Sequence, residues 1–222
     1  MHLSKRQLLR IAGGLAVLLL GLLIWRYQNV WQHWHTQTLT QAKIVAMVRQ
    51  QRGIDVFLVV PLLVCFSIIP GAPVSTIGVV AGICFGKGWG ALLNVIGITL
   101  GNLISQRVFG LIEARHVKDK SNKIVQGIAH MRHPLWGITI GYTIPFIPTS
   151  LVSMATVQAS VRQRPLALAT LLGSIPTAIL YAVGGDALIK ANFKTVMIVA
   201  IVVILLAGLL WVIRHDRQEK TA

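Results

Sequence analysis

This sequence predicts an all-α polytopic membrane protein: an inverted repeat of two opposed re-entrant helical hairpins, with about four transmembrane helices besides. Three observations point there. The chain of 222 residues is 55% apolar and only 12% charged, about half the charge of a soluble domain, so a water-exposed fold could not cover itself. Two apolar stretches are interrupted by P-x-x-P, at Pro70-Gly71-Ala72-Pro73 and at Pro145-Phe146-Ile147-Pro148. The 21 Lys and Arg, against 6 Asp and Glu, fall in short clusters between the apolar stretches.

A formal net charge of +15 would by itself point to nucleic acid. Clustering between apolar runs is instead the pattern of loops retained on the cytoplasmic side of a membrane, so nucleic acid is not an expected partner. The two cysteines, Cys65 and Cys84, lie inside apolar runs and form no CxxC pair. Six of the seven histidines (His33, His35, His116, His130, His133 and His215) fall in interfacial segments. No metal site is expected, and no cofactor. There is no nucleophile elbow, Gly-rich phosphate loop or pairing of acids in mid-span, so the chain is not expected to be an enzyme.

The apolar segments are residues 11–27, 54–69, 74–85, 89–106, 135–144, 149–161, 166–183 and 195–213. A full span needs about 20 apolar residues at 1.5 Å each. The first, fourth, seventh and eighth meet that. Lys5, Arg6 and Arg10 before the first resemble a signal peptide, but Trp25-Arg26-Tyr27-Gln28 offers no small-x-small cleavage site. An uncleaved signal anchor is therefore expected. The other four segments are short and come as two pairs, each joined by a P-x-x-P. Two prolines three residues apart remove donors and clash with the preceding turn, so each pair reads as two half-helices meeting at a break. Such a break is tolerated at membrane depth only inside protein or beside a wet cavity.

Charge decides how each pair sits. With a cytoplasmic N-terminus and both pairs re-entrant, 14 cations fall inside and 7 outside. Carrying the first pair fully across would put the cation-rich loop of Arg107, Arg115, Lys118, Lys120, Lys123 and Arg132 outside, against the positive-inside rule. Trp25, Tyr27, Trp31, Trp34 and Trp89 then mark the outer boundary, and Trp136 and Trp211 the inner one. Residues 36–52 read as a weakly amphipathic helix on the outer surface, or as a plain connector.

Shifting the chain by 75 residues aligns Pro70 with Pro145, Pro73 with Pro148 and Ser75 with Ser150. Each break is followed by a short apolar helix, a polar stop (Gly86-Lys87-Gly88; Arg162-Gln163-Arg164) and a full span. Because the hairpins enter from opposite faces, the halves are related by inversion, an architecture typical of secondary transporters. The domain reading is an N-terminal anchor and interfacial segment over 1–53, a repeat core over 54–187, and a C-terminal helix with basic tail over 188–222.

The blocks Pro70-Gly71-Ala72-Pro73, Ala81-Gly82-Ile83-Cys84-Phe85-Gly86 and Gly97-x-x-x-Gly101, then Ile144-Pro145-Phe146-Ile147-Pro148, Gly173-x-x-Pro176 and Gly184-Gly185, resemble the VTT-domain family. This is the DedA-like, SNARE-associated Golgi protein superfamily. The resemblance covers roughly residues 55–187. It implies two opposed re-entrant hairpins and a role in moving lipids or lipid-linked phosphates between leaflets, as in undecaprenyl phosphate recycling or phospholipid scrambling. It also implies a bacterial cell-membrane location, here with both termini cytoplasmic. The chain departs from the family at several positions. Tyr142 stands where the family usually has Arg before the second break. Acidic members carry carboxylates near the first break, where this chain has Ala72-Pro73-Val74, and after the paired glycines, where it has Asn102. A family Arg falls near Gly110, with Arg107 one turn earlier.

A proton-coupled carrier needs a titratable group within the membrane. Asp55 and Asp186 are expected at the outer ends of their segments, and the other four acids in the loop and tail. Passive lipid movement is therefore the expectation, with a non-transporting scaffold and proton coupling as alternatives. The partners expected are membrane lipids, phospholipid or polyprenyl phosphate, and a second copy of the chain is a further candidate. Along the path, Ser75, Thr76, Tyr142, Thr149 and Ser150 would offer hydroxyls. Pro70, Gly71, Pro73, Pro145 and Pro148 shape the breaks, after which half-helix N-termini would face a phosphate. Arg107, Arg162 and Arg164 would draw anionic headgroups to the cytoplasmic mouth. Asn94, Asn102 and Gln106 share one helical face and would line the cavity or bond to neighbouring helices.

Overall fold

The structure, a computed structural model, describes residues 5–26, 28, 46, 52–113, 123–159 and 161–219. Among the described residues there are eight helices and no strand: α1 (Lys5–Arg26), α2 (Arg52–Ile68), α3 (Val74–Glu113), α4 (Lys123–Ala129), α5 (Pro134–Thr143), α6 (Thr149–Gln158), α7 (Gln163–Ile189) and α8 (Phe193–Glu219). The surface segment expected over 36–52 lies outside the described residues, apart from its last residue and position 46. Within the cation-rich loop, residues 114–122, with Arg115, Lys118 and Lys120, lie outside them too. Two helices, α3 and α7, are long and apolar enough to cross a membrane by length and composition.

Single prolines do not break these helices. Pro61 lies within α2 and Pro176 within α7. The proline pairs do. In the first break Ala72 N–H donates to the Ile69 carbonyl at 3.2 Å, with Pro70 and Gly71 between. Gly71 has φ +79°, which makes this a type II turn with glycine at the position that requires it. In the second, Ile147 N–H donates to the Ile144 carbonyl at 3.2 Å across Pro145 and Phe146. No positive φ occurs there. Ile144, before its proline, is extended at φ −95°, ψ 114°. The next bonds also match: Thr76 N–H to the Pro73 carbonyl, and Leu151 N–H to the Pro148 carbonyl. All four correspond at the 75-residue offset. Within each P-x-x-P two residues have no N–H and a third is bonded in the turn, which suits a break surrounded by apolar residues.

The polar stop expected at Gly86–Gly88 does end a helix. Gly86 (φ 80°, ψ 176°) is non-helical, a conformation glycine reaches without a Cβ clash, and the chain folds back there: a Cβ at Gly90 would meet the Ala81 carbonyl at 2.9 Å, and Asn94 Nδ2 donates to the Gly78 carbonyl at 2.9 Å. Gly86 thus divides α3 into α3a (74–85) and α3b (87–113). Arg162 likewise is the N-cap of α7, as the second stop predicted. The short helix α4 was not expected; it places Val125 and Ile128 in a core with Ile138, Val152 and Leu166.

Packing fixes the helix directions. A Cβ at Gly97 would meet Leu63 Cβ at 2.8 Å, and one at Gly101 would meet Ser67 Cβ at 2.6 Å, so α2 and α3b advance together. Seventy-six residues on, a Cβ at Gly173 would meet the Thr139 carbonyl at 2.5 Å. Thr177 Oγ1 donates to the Thr143 carbonyl at 2.8 Å. So α5 and α7 also advance together. Yet α3b and α7 run antiparallel: Asn94 reaches the Ala178 carbonyl and Gln106 reaches Thr170. The outer helices of one unit therefore run opposite to those of the other. The units are clasped by α3a lying on α7. There Gly82 meets the Ala182 carbonyl, Gly185 meets the Val79 carbonyl, and Gly78 meets the Tyr181 ring.

Around this clasp α1 adds Ala16 and Leu19 to the core of Val59, Leu62, Leu63, Ala81 and Phe85. A broad belt of exposed apolar side chains faces outward, among them Val17, Phe57, Ile140, Leu172, Ile201 and Leu205. That is far more than a water-facing monomer displays.

Candidate functional site: a cleft backed by a buried polar seam

Where α6 and the start of α7 lie against the last turns of α3b, an open cleft of about 450 Å³ is lined by Gln106, Arg107, Gly110, Thr156, Val157, Val161, Gln163 and Leu166. Glycine at 110 leaves room for the cleft, since a Cβ there would have only Val157 Cγ2, at 3.8 Å, in reach. Arg107 is exposed at the lining, and Arg162 and Arg164 are exposed beside it.

The back wall is polar. Gln106 Nε2 donates to Tyr142 Oη at 3.0 Å and to Thr170 Oγ1 at 2.9 Å. Tyr142 Oη in turn pairs with Ser153 Oγ at 2.9 Å, and Thr170 Oγ1 donates to the Leu166 carbonyl at 2.8 Å. One carboxamide thus ties α3b to α5 and α7, and the tyrosine extends the tie to α6.

Behind Gln106 the polar residues continue along α3b. Asn94, Thr99, Asn102 and Ser105 are buried, facing a helix whose own buried polar residues include Thr170, Ser174 and Thr177. Asn94 Nδ2 donates to the Gly78 and Ala178 carbonyls. Both polar atoms of Asn102, together with Ser105 Oγ and Thr99 Oγ1, have no hydrogen-bond partner among the described residues. An unmet buried group costs about 1–3 kcal/mol, so this seam is held at a disadvantage for folding. From residue 94 to 106 it runs about 18 Å along the helix at 1.5 Å per residue.

The candidates named from the sequence divide. Asn102, Tyr142 and Ser150 are buried, with Tyr142 in the network and Asn102 in the seam; Arg107 lines the cleft, with Arg162 and Arg164 beside it. Pro70, Gly71, Pro73 and Thr76 lie exposed at the first break, with Ser75 half-buried; Pro148 is exposed, and Pro145 and Thr149 are half-buried. The first break is thus not part of the cleft. Ser153, Thr156 and Thr170 were missed, although Ser150, Ser153 and Thr156 recur at helical spacing, as do Thr170, Ser174 and Thr177.

Two acids stand at helix ends as expected, Asp55 in the first turn of α2 and Asp186 in the last turn of α7, but both are buried. Asp55 is only 1% exposed and takes Arg26 Nε at 2.6 Å. Asp186 is 6% exposed and pairs with Lys190 at 3.0 Å. The cation that buries Asp55 lies 29 residues away on α1, and a linear reading does not bring it there. Among the described residues no group of three His, Cys, Asp or Glu is placed to hold a metal.

A helical fold with an outward apolar belt, two helices of spanning length and two proline-broken helix pairs is that of a membrane protein. The VTT domain matches residues 69–187, more than half of the sequence. The chain belongs to the VTT-domain family, whose members are membrane proteins. Comparison with curated proteins and with solved structures found no match.

Proposed function

We propose that this protein gives lipid headgroups a passive path between the leaflets of the bacterial cell membrane, acting on phospholipid or on a polyprenyl phosphate, without catalysing a reaction. The observation that carries this reading is the buried polar seam that backs a cleft with Arg107 at its lining. Arg107, Arg162 and Arg164 draw a phosphate to the mouth, and the amides and hydroxyls behind it replace water along the way. Lipid tails remain in the bilayer.

The path spans the membrane in an inverted pair of re-entrant hairpins, with both termini cytoplasmic. The opposed directions of α3b and α7 support the inversion. Re-entrance is supported by depth. Ser67 stands beside Gly101, so the break at 70–73 lies about one turn further on, short of the end of α3b at Glu113. By the same register the break at 145–148 stops short of Ile189.

Trans-leaflet exchange of labelled phospholipid and of undecaprenyl phosphate in liposomes tests the reading. Exchange above that of protein-free liposomes, without a pH gradient, is expected for at least one of them; rates equal to protein-free liposomes for both would overturn it. The buried acids Asp55 and Asp186, paired with the partly exposed Arg26 and the exposed Lys190, favour a second reading, proton coupling, since a titratable group paired with a cation is what that mechanism needs. Exchange that appears only with a pH gradient would favour it.

A further inference from the structure

We propose that the seam behind Gln106 is an internal headgroup subsite for zwitterionic headgroups, with the Gln106 carboxamide as its latch. This rests on the passage reading above and narrows its substrate.

The subsite's ligand groups are Asn102 and Ser105. Both are fully buried, one turn or less behind Gln106, and their side-chain N–H, O–H and carbonyl groups have no partner among the described residues. Asn94, Asn102 and Gln106 form one stripe of α3b. Its two ends reach α7 at Ala178 and Thr170, so Asn102 lies over the stretch of α7 between them. Buried side chains that can donate and accept, held facing a neighbouring helix with those bonds unmade, are what a transient polar guest requires.

The composition of the seam sets the guest's charge. Asn94, Thr99, Asn102, Ser105 and Gln106, with Thr170 and Ser174 of α7, include no ionisable group. The buried acids each hold their own cation, Asp55 with Arg26 and Asp186 with Lys190. A phosphate monoester dianion entering here would lose its water with no opposite charge to replace it, which is the most unfavourable form of burial. A phosphocholine or phosphoethanolamine headgroup brings its own counter-charge. Its phosphodiester oxygens can take the Asn102 and Ser105 donors. Arg107 at the mouth attracts any phosphate, so discrimination falls to the seam.

Gln106 separates the two regions. Its Nε2 holds Tyr142 and Thr170 together across the back of the cleft, and rotation of that one side chain releases both bonds and joins cleft to seam.

Proteoliposomes carrying labelled phosphatidylcholine, phosphatidylglycerol or undecaprenyl phosphate test the selectivity. Phosphatidylcholine is expected to exchange fastest and undecaprenyl phosphate slowest, by about tenfold or more given an uncompensated buried charge. Undecaprenyl phosphate exchanging as fast as phosphatidylcholine would overturn the inference while leaving the passage intact. No exchange of any lipid would instead overturn the passage itself. A lipid-free probe tests the subsite separately: Ser105→Cys in a Cys65→Ala, Cys84→Ala background, treated with an uncharged and with a sulfonated methanethiosulfonate reagent. The uncharged reagent should react faster, and adding Gln106→Ala should accelerate it several-fold. Equal rates for the two reagents would remove the charge selectivity; rates unmoved by Gln106→Ala would remove the latch.

Discussion

Gly184 and Gly185 are neighbours in α7, and alanine is expected to act in opposite directions at the two. A Cβ at Gly185 overlaps the Val79 carbonyl oxygen and stands 3.0 Å from Ile83 N. Both are backbone atoms of α3a, so no rotamer change relieves the clash, and the helices must part by about 1 Å to restore contact near 3.5 Å. Overpacking of this kind costs about 1–3 kcal/mol, here at the upper end. Replacing a helical glycine returns about 1 kcal/mol. The net loss is about 2 kcal/mol by these two estimates. At Gly184 the nearest atom is Val199 Cγ1 at 3.6 Å, an ordinary contact, so only the helical gain of about 1 kcal/mol remains. The two variants should therefore differ by about 3 kcal/mol, or about 6–12 °C in midpoint for a chain of this size. Thermal unfolding in detergent, followed by a thiol-reactive dye, reads this directly because Cys65 and Cys84 are 5% and 3% exposed. A Gly185→Ala midpoint equal to or above the wild type would refute the close α3a–α7 clasp.

Further expectations follow from the ion pair, the turn and the topology. Arg26→Ala removes the guanidinium from a part-buried pair with Asp55 and should cost about 1–3 kcal/mol; in the same dye assay, Arg26→Ala with Asp55→Asn should recover part of that, and identical single and double variants would mean the pair is inert. Gly71→Ala places a side chain at φ +79° and should cost about 1–2 kcal/mol, with Gly71→Asn milder because asparagine tolerates that region; equal midpoints for all three would refute the type II turn. Lys120→Cys, with the native cysteines removed, should be labelled by an impermeant reagent only from the cytoplasmic side, and labelling from outside alone would invert the topology.

The two breaks were legible because proline acts locally: a pair three residues apart ends a helix whatever surrounds it, and both pairs do. The 75-residue offset read from Pro70 and Pro145 was legible for the same reason, and the turn bonds recur at it. The stop at Gly86 was legible because a Gly-Lys-Gly run admits φ 80°, and there one helix ends and the next folds back along it. The common face of Asn94, Asn102 and Gln106 could be read from spacing. Its partners could not, since Tyr142, Ser153 and Thr170 arrive from three other helices. Serine and threonine barely lower the hydropathy of an apolar segment, so the polar lining of α6 and α7 left little trace. The burial of Asp55 depends on Arg26 of a separate helix, a contact that no local pattern encodes.

The central claim is that lipid passes through the cleft between α3b and α6. Gly110 and Val157 face each other across it, a Cβ at 110 lying 3.8 Å from Val157 Cγ2, within reach of a disulfide bridge. The decisive measurement is trans-leaflet exchange of labelled phosphatidylcholine by Gly110→Cys, Val157→Cys protein lacking Cys65 and Cys84, oxidised and then reduced in the same liposomes. The account predicts that oxidation stops exchange and reduction restores it. Equal exchange in the bridged and the reduced protein would place the path elsewhere.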